Sequence, residues 1–131
     1  MAQTKISSRL LAELTALAEA DVSVEVCGLL FGREGAIEGF KVTANVADDP
    51  SDSFEIDPAA LIAAHRNART GGPQVVGCFH SHPSGSTTPS SRDAAAADPA
   101  GGLWLILAGS EAALWRARAN GFDPVGLIQI A

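Results

Sequence analysis

At 131 residues, with 47% hydrophobic and 18% charged side chains, the chain has the length of one domain, spanning 1–131, that folds alone and lies far from the low-hydrophobicity regime of disorder. Nine Lys plus Arg against fifteen Asp plus Glu give a formal charge of −6, which argues against a partner held through phosphates, since those need clustered cations. The opening MAQTKISSRL has no apolar run behind Lys5 and Arg9, and the longest strongly apolar run, LWLILA, is too short to span a bilayer; a cytoplasmic protein with neither membrane nor nucleic-acid partner is expected.

In SSRLLAELTALAEA, Leu10, Leu14 and Leu17 fall on one stripe with Leu11 and Ala18 beside it, and Ser7 or Ser8 is available as N-cap. That spacing predicts a helix, with a short strand at QTKI as an option before it. VSVEVCGLLF and AIEGFKVTAN, rich in Val, Ile and Phe and separated by REG, read as a hairpin. DPAALIAAHRNARTGG carries its own punctuation for a second helix: Asp57 as N-cap, Pro58 at the first helical position and Gly71 after the end. VVGCFH reads as a buried strand, SRDAAAADP as a short third helix stopped before Pro99. LWLILA, AALWRARA and PVGLIQI are further strands divided by Gly, Ser, Asn and Pro. The order αββαβαβββ is that of an α/β or α+β sandwich with one mixed sheet. Cys27 and Cys78 form no C-x-x-C and read as reduced, buried small hydrophobes. His65 reads as part of a solvated helix face beside Arg66 and Arg69, Trp104 and Trp115 as core.

The stretch HSHPSGSTTPSSRD, His80 to Asp93, has almost nothing apolar. If the strand runs on through His80 and His82, its period of two puts both imidazoles on one side. Asp93 arrives from the first turn of the next helix, and two imidazoles plus a carboxylate suit Zn²⁺ with a fourth position left for water. Ser90-Ser91-Arg92-Asp93 also matches the S-x-x-D/E capping box, and by spacing alone capping is the stronger reading. Upstream, alternation in VSVEVC assigns Val22, Val24 and Val26 to one face and Ser23, Glu25 and Cys27 to the other, making Glu25 a solvent-facing strand residue. Periodicity does not choose among Glu25, Glu55 and Asp57 as a base.

Together, Glu25 in EVCGLLFG, His80-Ser81-His82-Pro83, ten intervening residues and Asp93 in SSRD resemble the JAMM (MPN+, or Mov34/MPN/PAD-like) zinc metalloprotease family. The resemblance covers about residues 5 to 110 and is strongest to the compact prokaryotic single-domain branch, since long insertions of the kind eukaryotic deubiquitinases carry have no room here. It implies the cytidine-deaminase-like MPN fold, a mixed β-sheet flanked by helices. It also implies one Zn²⁺ per chain with His80, His82 and Asp93 as ligands, Glu25 as general acid/base and Ser90 as oxyanion donor. The implied reaction is hydrolysis of amide or isopeptide bonds, releasing amino acids or peptides from the C-terminal Gly-Gly tail of a ubiquitin-like or sulfur-carrier protein. Such a tail is expected to add to a sheet edge through its main chain. The oligomeric state is left open, a homodimer being one option. HPSG…TP is similar to RadC-like relatives as well, though those usually show Asn where Ser81 stands. A catalytically silent MPN scaffold and a RadC-like protein of nucleic-acid metabolism are therefore the alternatives; the intact residue set weighs against the first, the acidic charge against the second.

Overall fold

The computed structural model describes residues 2–98 and 102–131. In chain order the elements are β1 (Gln3–Ser7), α1 (Ser8–Ala20), β2 (Cys27–Arg33), β3 (Ala36–Thr43), α2 (Pro58–Arg69), β4 (Gln74–Ser81), α3 (Ser91–Ala96), β5 (Leu103–Ala108), β6 (Glu111–Arg118) and β7 (Gly121–Ile130). The expected mixed sheet with flanking helices is present, and the optional strand at QTKI forms. It also changes the architecture. β1 runs parallel to β3, with Ile6 opposite Ile37, and parallel to β7, from Gln3↔Gly126 to Ser7↔Ile130. The ring β1-β3-β2-β4-β5-β6-β7 therefore closes on itself, and the predicted sandwich is corrected to a barrel. Closure pairs backbone of β3 at Ala36 and Ile37 and of β7 from Gly126 to Ile130 that a sandwich would leave unpaired.

The helices follow their caps. Ser7 Oγ accepts the Leu10 N–H at 3.0 Å and starts α1. Asp57 caps α2 through the Ala59 N–H, with Pro58 at the first position and Gly71 just beyond the end at φ +96°, a conformation that glycine adopts without a Cβ penalty. α3 spans six residues; Pro99, expected to stop it, lies outside the described residues. The hairpin turns at Gly35, but β2 begins at Cys27, so Val22 to Val26 do not form the predicted strand.

Phe79, Leu103, Leu105 and Leu107 point to one side of β4 and β5, where they pack with Ile6, Leu30 and Leu14 of α1. Each such side chain contributes about 1.5–3 kcal/mol by leaving water. His80, Trp104 and Ile106 alternate to the opposite side and are buried there too. Burial on both faces is why LWLILA reads as an unbroken apolar run. The cover on this second side includes Phe54, from the loop between β3 and α2, stacked on His80 at 4.1 Å and edge-on to Trp104 at 5.2 Å. Cys27 and Cys78 are unpaired, and burial pushes both thiols above their usual pKa. Among the described residues no helix is long and apolar enough to cross a membrane.

Candidate metal centre

β4 carries its strand pairing up to the site. His80 sits opposite Cys27 of β2 and Ile106 of β5. The strand ends at Ser81, yet the His82 N–H still reaches the Leu107 carbonyl at 2.8 Å. The two imidazoles consequently converge, with their Nε2 atoms 3.0 Å apart. His82 Nδ1 lies 2.8 Å from the Ser86 carbonyl oxygen. A carbonyl only accepts, so the proton is on Nδ1 and the lone pair of Nε2 faces the centre.

The capping reading of Ser90 and Asp93 is correct and does not compete with a second role. Ser90 Oγ accepts the Asp93 N–H at 3.0 Å, and the Ser90 N–H returns a bond to Asp93 Oδ2 at 2.9 Å. The same Oδ2 lies 3.2 Å from His80 Nε2 and 3.0 Å from His82 Nε2. Capping thus fixes the rotamer that aims the carboxylate at the histidines.

Glu25 reverses the face assigned to it by alternation. It is 4% exposed, whereas Val22 is 71% exposed. The segment is held by tertiary hydrogen bonds: the Glu25 N–H to the Pro50 carbonyl at 2.7 Å, the Glu25 carbonyl to Asn45 Nδ2 at 2.9 Å, and the Val26 N–H to Ser81 Oγ at 2.8 Å. These turn the carboxylate inward. Glu55 is exposed and Asp57 is occupied as a helix cap, so neither joins the cluster. Ligand atoms of Glu25, His80, His82 and Asp93 all lie within 4.8 Å of one another.

Burial pushes the Glu25 carboxyl up to about 7, with the Asp93 charge adding to the rise and His82 opposing it. Burial likewise depresses His80, which Asp93 only partly offsets, so its imidazole is neutral near neutral pH. For His82 burial pulls downward, but the neighbouring Asp93 carboxylate and the Ser86 carbonyl outweigh it and raise the group. Burial would raise Asp93, yet the two adjoining histidines and the Ser90 N–H hold it well below the usual carboxylate range.

These groups fit a divalent cation. Three donor atoms 3.0–3.2 Å apart approximate one face of a tetrahedron, whose edges measure about 3.4 Å for ~2.1 Å bonds to zinc. Three convergent lone pairs with at most one hydrogen among them repel one another unless a cation or proton lies between. Glu25 Oε1 is buried with no hydrogen-bond partner among the described residues, as suits a carboxylate that faces a ligand. Beside the cluster a groove of about 340 Å³ opens to solvent, lined by Glu25, Ser51, Asp52, His82, Thr88 and Ser90 among others.

Sequence reasoning passes over Asn45 and Phe54, and reads Ser81 only as part of the His80–Pro83 motif. Their roles exist only through chain-distant partners. Trp115, read as core, is partly buried instead; its Nε1–H donates to the Thr87 carbonyl at 3.0 Å and pins the loop that carries the groove wall. Trp104 is core as read, and His65 lies on an exposed helix face as read.

Residues 7–119 match the family model described as prokaryotic homologs of the JAB domain. The chain is 36% identical over 85 residues to a desampylase of Pyrococcus furiosus, covering 65% of this chain and 60% of that protein. It is 33% identical over 91 residues to a desampylase of Haloferax volcanii, covering 68% and 66% respectively. The matched region thus spans just under two thirds of either relative. Among solved structures, protein DSY2949 from Desulfitobacterium hafniense superposes with a TM-score of 0.83 at 28% identity, covering 98% of this chain and 93% of its own.

Proposed function

The chain belongs to the family of prokaryotic homologs of the JAB domain, and from that membership we propose a zinc-dependent hydrolase of amide and isopeptide bonds, with His80, His82 and Asp93 as metal ligands, Glu25 as general acid/base and Ser90 as oxyanion donor. The observation that carries this reading is the convergence of His80 Nε2, His82 Nε2 and Asp93 Oδ2, 3.0–3.2 Å apart, beside the buried Glu25 Oε1, which has no hydrogen-bond partner among the described residues. When bound, zinc supplies Lewis acidity and lowers the pKa of a bound water from ~15.7 to ~7. Glu25, raised to about 7 by burial, is poised to take a proton from the attacking water near neutral pH and return it to the leaving amine as the C–N bond breaks. Ser90 Oγ uses a lone pair to accept the Asp93 N–H, which leaves its own O–H free to donate to the oxyanion.

The proposed substrate is the C-terminal Gly-Gly tail of a ubiquitin-like or sulfur-carrier protein, joined through an amide to an amino acid or peptide. The two relatives named desampylase support that class. The proposed seat of the tail is the groove between Ser51-Asp52 and the Thr88–Ser90 wall; β1 pairs with β3 only at Ala36 and Ile37, so ring closure does not exclude strand addition. Glycines suit such a groove because they permit close backbone approach. The test is incubation of zinc-loaded protein with carrier fusions ending in Gly-Gly before the scissile bond. Hydrolysis is expected, abolished by a chelator and restored by zinc, and impaired far more by a bulky residue at the penultimate glycine than by changes beyond the bond. Cleavage indifferent to that glycine, or equal on unstructured peptides, would reduce the reading to a general zinc peptidase.

A further inference from the structure

We propose that Asn45, outside the ligand and catalytic set, is the positioning residue for Glu25, acting through the donor half of its side-chain amide. It lies just past β3 and bridges to Ile56. Its Nδ2 donates to the Glu25 carbonyl at 2.9 Å and the Ser53 carbonyl at 3.0 Å. Its Oδ1 accepts the N–H of Ala47 at 3.0 Å and of Glu55 at 3.1 Å. Two of these partners can only accept and two can only donate, so they dictate the orientation of the amide. One short side chain with two donors and an adjacent acceptor oxygen meets all four. Aspartate would keep the acceptor half and lose both donors; glutamine is a methylene too long.

The consequence is local to the base. Glu25 is gripped at both ends of its backbone by one loop: its N–H by the Pro50 carbonyl and its carbonyl by Asn45. The same loop carries Phe54, stacked on His80, and Ser51 and Asp52, which line the groove. Asn45 therefore couples the base-bearing segment to the loop beside the cluster through hydrogen bonds to backbone atoms. Its effect on chemistry rests on the reading given above; the clamp itself does not.

Amide hydrogen exchange on the full chain, with and without zinc, tests the clamp in N45A and N45D. In N45D the Ala47 and Glu55 amides, which donate to the retained acceptor oxygen, should stay protected, while the Glu25 amide, held by the Pro50 carbonyl of a loop that N45D releases at the Glu25 and Ser53 carbonyls, should exchange faster. In N45A all three should lose it, and in both variants the amides of β4 and β5 should exchange as in the wild type. Wild-type protection of Glu25 in N45D overturns the proposal, and N45D carries the test alone should N45A not fold. On a Gly-Gly fusion, both variants should keep bound zinc and an unchanged KM while kcat falls on the order of 10²-fold, the scale of a small misplacement of a catalytic group. Introduced into Glu25→Gln, N45D should cause no further loss of activity. A raised KM with kcat intact also overturns the proposal. A wild type inert on every fusion would sink the reading of the site and leave the clamp to be judged by exchange.

Discussion

At the scale of single residues, ligation and chemistry separate cleanly in the proposed centre. His82→Ala or Asp93→Ala should abolish bound zinc, because the two remaining ligands cannot hold an ion that three plus water hold well; metal content after dialysis decides it, and full occupancy in both variants would refute the ligand assignment. Glu25→Gln should keep zinc and lose hydrolysis, since an amide cannot take the proton of water. The same substitution has a stability signature in the metal-free protein. The Glu25 carboxyl is raised from 4.5 to about 7 in the folded state, so the folded protein binds that proton more tightly than the unfolded chain does. Its contribution is then fully present below 4.5 and is lost as pH rises through about 7. Metal-free E25Q lacks this loss, and its stability relative to the wild type should climb through that window and level off above it. Asp93, depressed in the fold, loses its contribution only at lower pH and is common to both proteins. Urea unfolding at about pH 5 and about pH 8 checks the sign; a relative stability that fell with rising pH would contradict the buried carboxyl.

At the scale of elements, α3 joins a structural task and a proposed chemical one in one turn. Ser90→Ala removes the cap bond to the Asp93 N–H, a loss of about 1 kcal/mol, and removes the proposed oxyanion donor, a loss of about 10²–10³ in kcat. Ser90→Thr retains the hydroxyl and should recover both, so equal loss of activity in the two variants would deny the donor role. Which elements were legible follows the same division between local and distant causes. Asp57, Pro58 and Gly71 announce α2 because capping and backbone freedom act within a few residues. The strand reading of Val22 to Val26 failed because nothing local decides it: Pro50, Asn45 and Ser81 hold that segment, and hydrogen bonds from elsewhere in the chain override alternation. Glu25 was therefore singled out by resemblance while periodicity placed it on the wrong face. Ser90 and Asp93 show the converse, a local signal read correctly at residues for which a second use is proposed.

At the scale of the whole molecule, the ring and the cluster depend on each other in one direction. The apolar core around Phe79, Leu105 and Leu14 occupies the opposite side of β4 and β5 from His80, and β1 closes the ring through pairing with β3 and β7 that involves no ligand. The barrel was the feature least visible beforehand, because a five-residue strand is too short for its pattern to reveal two parallel partners. Its independence from the metal makes a definite expectation. Chelation should leave far-UV circular dichroism and cooperative unfolding intact while lowering Tm, because only the convergent lone pairs lose their counter-charge. Added zinc should raise Tm progressively with its free concentration, as binding to the folded state alone requires. By contrast Ile6→Ala, in the ring-closing strand, should cost about 2–5 kcal/mol and lower Tm by a similar amount with and without zinc, leaving the dependence of Tm on zinc unaltered. A metal-free chain that unfolded outright, as small zinc-stapled domains do, would show that the ring is held by the ion and not by its own core.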